Sequence, residues 1–562
     1  MKRLLLILIF LPSLALAQSI PAMDRRVTLQ GPTGLNWAMS QKADTNKGVL
    51  TNPSESNGTY AAPSITGGTS TNQSLTTPSV TGGTVSGTDE SAGVAMATSG
   101  TTSRTHALHY SDTTNVMDFG AVASPTVDNT AAFQAAINAA CAKVTASSGG
   151  TAYPSTGSTG AGDVFIPQGR YGVTGPIEWT CPVHVHGAGP SNTTIVWMGL
   201  GSGPLFDMAA PLTDSNRYWY DGAVYDLSVV NGGSQTGDGI KITQCNGCDV
   251  FRVNTYDLYR SVVVFAGAAN GIHDFNFRQG HEQTVNGVSA GMEAFSVAIE
   301  YYGSDNNGGT GCTTADHANC TTRGDILSIF NGHVDAALDG THEPIDCLYI
   351  HDFAATTWVK NMTCNQVRNG ADIRCDNSTG IGQCPQFMNF DRLEVETNNS
   401  VGTNHNYGIA ADNFAHLDCI SCQLFGSQAG PNLITTSATR FPSGNFGIFG
   451  GKFQAAQGAC AVFRSDDTTV EGGLFTDCGL DEVSADQWGI QFIGSTNNSV
   501  SHAQFCHDGV GATSPNMRPV GIDETTSFTL VDGSIIQNCA GGSTNLNTST
   551  NTHNLIVNEI GP

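Results

Sequence analysis

From Ala223 onward the chain is a succession of short apolar stretches, and six of them open with Gly-Ile, at Gly239, Gly271, Gly408, Gly447, Gly489 and Gly521. Gly239 to Gly271 and Gly489 to Gly521 are both gaps of 32 residues. After a turn, each opening is followed by a second strand-like run, among them "CDVFRVNTYD", "HDFNFRQG", "LDCISCQLFG" and "FTLVDGSII". Short strand, turn and short strand at a solenoid-like interval, with variable loops between, is the pattern of a parallel β-helix. A β-sandwich would need antiparallel hairpins about every eight to twelve residues, and hairpin dipeptides between alternating strands are scarce here. The composition agrees: 67 Gly and only 13% charged residues in 562 fit many turns and few surface helices.

Upstream of the coils stands one helix-like segment, "NVMDFGAVASPTVDNTAAFQAAINAAC", Asn115 to Cys141. Asp128, Asn129 and Thr130 offer an N-cap, and Phe133, Ala136, Ile137, Ala140, Cys141 and Val144 fall on one helical face. A solenoid leaves an apolar end that must be covered, and a helix with one apolar face before the first coil would cover it.

Lys2 and Arg3 precede an apolar run from Leu4 to Leu16 ending in Ala15-Leu16-Ala17, which reads as a secretory signal peptide over residues 1–17. Residues 18–110 are rich in Thr, Ser and Gly; there "PSITGGT" at Pro63 recurs as "PSVTGGT" at Pro78. Such short units cannot bury a core alone, so the segment is either a disordered linker or a stalk ordered by oligomerising. Its composition resembles the proximal parts of phage tail fibres and spikes, and a homotrimer is allowed for on that ground.

Sixteen Cys in an exported chain read as disulfides before metal ligands. Cys245 and Cys248 flank an Asn-Gly turn and could close on each other, whereas Cys419 and Cys422 sit in a strand-like run where i and i+3 face opposite sides, so each is expected to pair elsewhere. Cys312 and Cys320 are expected to staple an insertion. With 23 basic against 48 acidic residues, nucleic acid and anionic membranes are excluded as partners, and a strongly anionic polymer would be repelled without Ca²⁺ or a local basic strip.

The segments "VMDFGA…DNTAAFQAAINAA", "GDVFIPQGRYGVTGPIEW" and "VHVHGAGPSNTTI", together Asn115 to Trp197, resemble the entry region of the pectate-lyase-like superfamily of right-handed parallel β-helices, which includes rhamnogalacturonase-type and tailspike-type proteins. The chain departs from that pattern between Ala121 and Val127, where a Gly-Asp-Gly turn is usual. The resemblance implies an all-β fold, a single-stranded right-handed parallel β-helix over residues 111–562 with an N-terminal capping helix, and an extracellular polysaccharide bound or cleaved along one sheet. Fold alone does not establish cleavage.

Long insertions should wall such a groove, and the largest, from about His281 to Arg323, carries His281 and Glu282 with Tyr301 and Tyr302 as sugar-stacking candidates. Tyrosines closing a loop over the core are an equally good account of that pair. "GSDNNGG" matches no calcium-loop pattern and reads as a plain turn. The densest ionisable cluster follows in "NGHVDAALDGTHEPIDCLYIHD". If Val334, Ala336 and Leu338 point inward, His333, Asp335 and Asp339 point outward, with His342, Glu343 and Asp346 just beyond. In "RLEVE", burial of Leu393 and Val395 would expose Arg392, Glu394 and Glu396.

Outward residues two apart on a strand lie about 6.5 to 7 Å apart, near the separation of the carboxyl pair in an inverting glycosidase. Asp335, Asp339, Glu343 and Asp346 are therefore the first catalytic candidates and Glu394 with Glu396 the second, although acids on a solvated face are the plainer reading of any single pair. His281, Glu282, Tyr301, Tyr302, His342 and Arg392 are the substrate-binding candidates. A lyase would instead need a base and a neutralised uronate carboxylate, for which His281, His342, Arg368, Arg374, Arg392, His405 and Tyr407 are available without a marking spacing. The polygalacturonase motif set is absent. The expectation is a secreted hydrolase of an extracellular polysaccharide needing no cofactor, with a uronate lyase using Ca²⁺ and a non-catalytic glycan-binding adhesin as alternatives.

Overall fold

The computed structural model describes residues 113–147, 162–199, 203–209, 219–232, 237–279, 297–305, 324–336, 346–375, 384–397, 406–426, 431–436, 444–480, 488–506, 517–536 (without 524) and 554–557, with short strands elsewhere, among them several between residues 65 and 105. The chain divides into two compact units, Met1–His109 and Tyr110–Pro562. In the first, the recurring Pro-Ser-Ile/Val-Thr units pair with each other in parallel, Ile65 opposite Val80 and Thr66 opposite Thr81. Residues 1–17 lie outside the described residues.

The second unit is a parallel β-helix with two long sheets. One is 13-stranded, with a single strand from each coil; the other is 23-stranded and bent, generally with two strands or one long kinked strand per coil. The bend has a specific cause. Asp226, Arg252, Asp274, Asn331, Asn361, Arg392, Ser421, Gly450, Gly472, His502 and Gly533 stack in register, and every one has a φ between 49° and 76°. A left-handed residue at the same place in each coil turns the strand through a corner and resets its in-out alternation.

That corner corrects the expectation for Cys419 and Cys422. They are joined to each other, because left-handed Ser421 stands between them and turns both sulfurs inward. Cys245–Cys248 closes on itself as expected, and six disulfides are formed among the described residues. Cys312 and Cys320 lie outside them.

The Gly-Ile openings do not mark one place in the coil. Gly239, Gly489 and Gly521 belong to strands of the 13-stranded sheet, whereas Gly271 and Gly447 belong to the bent sheet. Their common feature is an inward Ile beside a glycine under close approach; a Cβ on Gly239 would sit 2.6 Å from the Ser261 carbonyl oxygen. The shortest coils are nearer 22 residues, the separation of the paired Asp238 and Arg260.

The helix Thr130–Ser147 buries Phe133, Ala136, Ile137, Ala140 and Val144, and the first four join the same core as Val164, Ile166, Tyr171 and Ile177 of the first coil. Asn129 accepts the first helical bond from the Phe133 N–H through its carbonyl, and its side chain accepts the Val122 N–H at 2.7 Å, holding the loop that lacks the usual glycine turn. Asp128 accepts from both Thr130 and Thr174, and Cys141–Cys181 ties the helix to the entry of the next strand. No helix among the described residues is long and apolar enough to cross a membrane.

Candidate functional site

Along the 13-stranded sheet the inward residues are aliphatic or aromatic: Ile177, Phe206, Ile240, Val262, Ile299, Leu348 and Ala371 stack in one core column. One residue further on, alternation puts Glu178, Asp207, Lys241, Val263, Glu300, Tyr349 and Asp372 in a column on the outer face. Outward placement on a solenoid normally means exposure, yet Glu300 and Asp372 are 8% and 3% exposed. Ionisable groups removed from water need partners, and here they have them.

Arg260 donates to both oxygens of Asp238 at 2.7 Å and to Glu300 at 2.5 Å. The other oxygen of Glu300 faces His351 Nε2 at 3.0 Å, while His351 Nδ1 meets Asp352 at 2.9 Å. The imidazole lies between Tyr302 and Tyr349, with ring centroids 4.8 and 4.2 Å away. Burial works against the imidazolium, but hydrogen bonds to Asp352 and Glu300 and their charges outweigh it and hold His351 up at about 9. Glu300 is likewise penalised by burial yet held below the usual carboxylate range by His351 and Arg260.

Asp372, two rungs from Glu300, behaves in the opposite sense. Burial and the nearby Asp346 charge push it up to about 6, against the pull of Arg374 at 2.6 Å, whose half-exposed guanidinium is screened by water. Asp207 is also raised to about 6 by burial, and its Oδ1 has no hydrogen-bond partner among the described residues. At roughly 4.8 Å per rung, Glu300 and Asp372 stand about 9.5 Å apart along the sheet with Tyr349 between them. An ionised carboxylate and a carboxyl that holds its proton to near-neutral pH, at that spacing, can act as base and acid on opposite sides of one bond.

The residues expected from sequence are distributed over different faces. Asp335 points outward on Leu327–Ala336 with Val334 and Ala336 buried, and Glu394 and Glu396 are exposed on Phe387–Thr397 beside buried Leu393 and Val395. Register sets Asp335 two rungs from Glu396 across Asn365, on the bent sheet past its corner and not on the sheet that carries Glu300. Asp346 is separated from Asp335, since it belongs to the 13-stranded sheet, is buried, and is held by Arg368 and by Asn369 at 2.8 Å. Arg392 is exposed at the left-handed corner. Tyr301 is 1% exposed and belongs to the core, which removes it as a sugar platform; Tyr302 faces outward against His351. His281, Glu282, Asp339, His342, Glu343 and His405 lie outside the described residues. Arg368 and Arg374 are committed to Asp346 and Asp372, and burial raises the Tyr407 hydroxyl to about 12.

Glu300, His351, Asp372 and Asp207 were not singled out from sequence. The signal for three of them was a lone acid at the centre of an apolar strand, as in "LFDMA", "VAIEYY" and "NGADIR".

Residues 113–223 match the family described as rhamnogalacturonase A/epimerase, pectate lyase-like. No curated protein sequence matches the chain. Among solved structures, tailspike protein 3 of bacteriophage CBA120 aligns at 14% identity over 83% of this chain, with a TM-score of 0.52, and the chain spans 64% of that protein's length. The catalytic unit of a GH87 α-1,3-glucanase from Streptomyces thermodiastaticus aligns at 15% identity over 78% of this chain and 69% of its own, with a TM-score of 0.50. At such identity these likenesses speak to fold. The family match is confined to the entry coils, and over the rest of the chain the likeness to these solved structures is one of fold, the right-handed parallel β-helix.

Proposed function

We propose that this protein is an exported glycoside hydrolase that cleaves a neutral extracellular polysaccharide on the outer face of the 13-stranded sheet, with Asp372 as general acid and Glu300 as general base. The observation that supports this reading is the opposed protonation of two carboxyls two rungs apart: Asp372 is pushed up to about 6 while Glu300 is held low. Two rungs, about 9.5 Å along the sheet, correspond to the long end of the carboxyl separations of inverting glycosidases. A glycanase and a phage tailspike among proteins of the same fold agree with a glycan substrate.

Charge favours hydrolysis over uronate elimination. Arg260 is already paired with Asp238 and Glu300, and Arg368 with Asp346, so neither is left uncompensated to neutralise a uronate. The disulfides fit an oxidising compartment, as export requires.

The test is release of reducing ends from a panel of neutral and acidic polysaccharides, with the product anomer followed by NMR. Asp372→Asn and Glu300→Gln should each lower turnover by about 10² to 10⁴ while circular dichroism stays unchanged. Full activity in either folded variant, or products absorbing as unsaturated uronates, would overturn the assignment. Binding without cleavage would establish the adhesin instead.

A further inference from the structure

On the other face of the solenoid, the first half of the bent sheet carries a column that reads Asp249, Gly271, Ser328, Trp358, one residue per rung. The two middle members are small, so the outer surface dips between a carboxylate at one end and an indole at the other. A depression of about 640 Å³ is lined by Asp249, Gly271 and Ser328 and by His273, Phe330 and Lys360 of the parallel column two residues on, and Trp358 stands just outside it, two residues before Lys360 on the same strand. Gly271 lets the Asp249 carboxylate lie over the floor, since a Cβ would sit 2.4 Å from Asp249 Oδ1 and push it aside. Trp358 is 53% exposed, and its rung neighbours, Ser328 and Asn389, bring no ring to cover either of its faces. By contrast Tyr225, Phe251 and His273 of the parallel column are stacked face to face on successive rungs at 4.4 and 5.0 Å, which covers both faces of Phe251.

We infer that this trough is a second carbohydrate site, which binds about two units of a neutral glycan lying along the solenoid axis, apart from the catalytic face. A pyranose ring has an apolar C–H face that gains by covering an exposed indole and a rim of hydroxyls that hydrogen-bond to carboxylate, hydroxyl and imidazole groups. Its repeat in an extended chain, about 5 Å, is close to the rung spacing of roughly 4.8 Å, so successive sugars meet successive rungs between Asp249 and Trp358. An acidic glycan is disfavoured: Asp249 closes one end, and the ammonium of Lys360 is 3.6 Å from Asp391. The site would keep polymer on the protein between cleavage events.

Affinity electrophoresis of the full exported chain through gels containing laminarin, dextran, mannan, xylan or polygalacturonate tests this. At least one neutral polysaccharide should retard the wild type, and both Trp358→Ala and Ser328→Trp, which fills the trough, should weaken that retardation tenfold or more. Gly271→Ala checks the floor independently. The inference is overturned if no neutral glycan retards the protein, or if folded Trp358→Ala and Ser328→Trp are retarded like the wild type. It is equally overturned if Trp358→Ala changes the sedimentation coefficient, since the face would then be a contact between copies. The hydrolase reading fails separately, through the activity of Asp372→Asn, which leaves this trough intact.

Discussion

His351 offers the sharpest quantitative test of the buried cluster. It holds its proton up to about 9, whereas an exposed histidine releases it near 6.5. At 1.36 kcal/mol per pH unit, that difference corresponds to about 3 kcal/mol of stability that the imidazolium contributes to the native state. Because the folded value is the higher one, the contribution is complete below pH 6.5 and is lost as the pH rises through about 9. His351→Gln removes the titration and keeps a donor toward Glu300. Urea unfolding of the oxidised wild type and variant should therefore show a stability gap about 3 kcal/mol larger at pH 6 than at pH 10. Glu300, held low by His351 and Arg260, titrates at acid pH and does not enter this window. The same midpoint should appear directly in deuterium exchange at the His351 imidazole C2, read in the peptide that contains it. A gap independent of pH, or an exchange midpoint near 6.5, would refute the picture of an imidazolium clamped between Glu300 and Asp352.

Two further outcomes follow from the backbone. Gly450 has a φ of 72°, and a methyl group added there would meet no heavy atom nearer than 3.9 Å, so Gly450→Ala should cost about 1 kcal/mol from backbone conformation alone, while Ser421→Gly in the same column should gain up to about 1 kcal/mol; equilibrium denaturation reads both. Replacing Cys347 and Cys364, 17 residues apart, by alanine should cost about 3 kcal/mol, and replacing Cys419 and Cys422, 3 apart, about 2 kcal/mol, if chain entropy dominates; equal losses would point to packing of the sulfurs.

What the sequence reveals here depends on the range over which each feature is encoded. The helix Thr130–Ser147 and the in-out alternation at Val334 and Ala336 or Leu393 and Val395 are local periodicities, and they are legible. The corner is not, because Asp, Arg, Asn, Ser, Gly and His all occupy its left-handed position, so no single residue type announces it. Unbroken alternation would put Cys419 and Cys422 on opposite faces, and only the corner at Ser421 brings them together. The charged column is harder still. Glu300, Tyr349 and Asp372 come from separate coils with insertions of unequal length between them, and only the rung register makes them neighbours. A density of acids, as at 335–346, is easy to see in sequence, but Asp335 lies in the bent sheet past its corner and Asp346 in the 13-stranded sheet.

A solenoid can tolerate so many buried charges on one face because its interactions run mainly from rung to rung. Desolvating Asp238, Arg260, Glu300 and His351 would strain a small globular core, whose groups share a single interior. Here the continuous aliphatic column beneath them, from Ile177 through Ala371, is supplied by alternate residues of the same strands and is untouched by the identity of the outward ones. Each outward position is therefore constrained only by side chains of the adjacent strands, displaced along them from its own rung: Glu300 needs Arg260 below and His351 above, and Asp372 needs the Asp346 charge that helps keep its proton. That locality makes the catalytic assignment separable from stability, since Asp372→Asn keeps the shape of its rung while removing the acid. It also explains how the Trp358 trough can coexist on another face of the same coils, where a different set of outward residues is read from the bent sheet without disturbing the core they share.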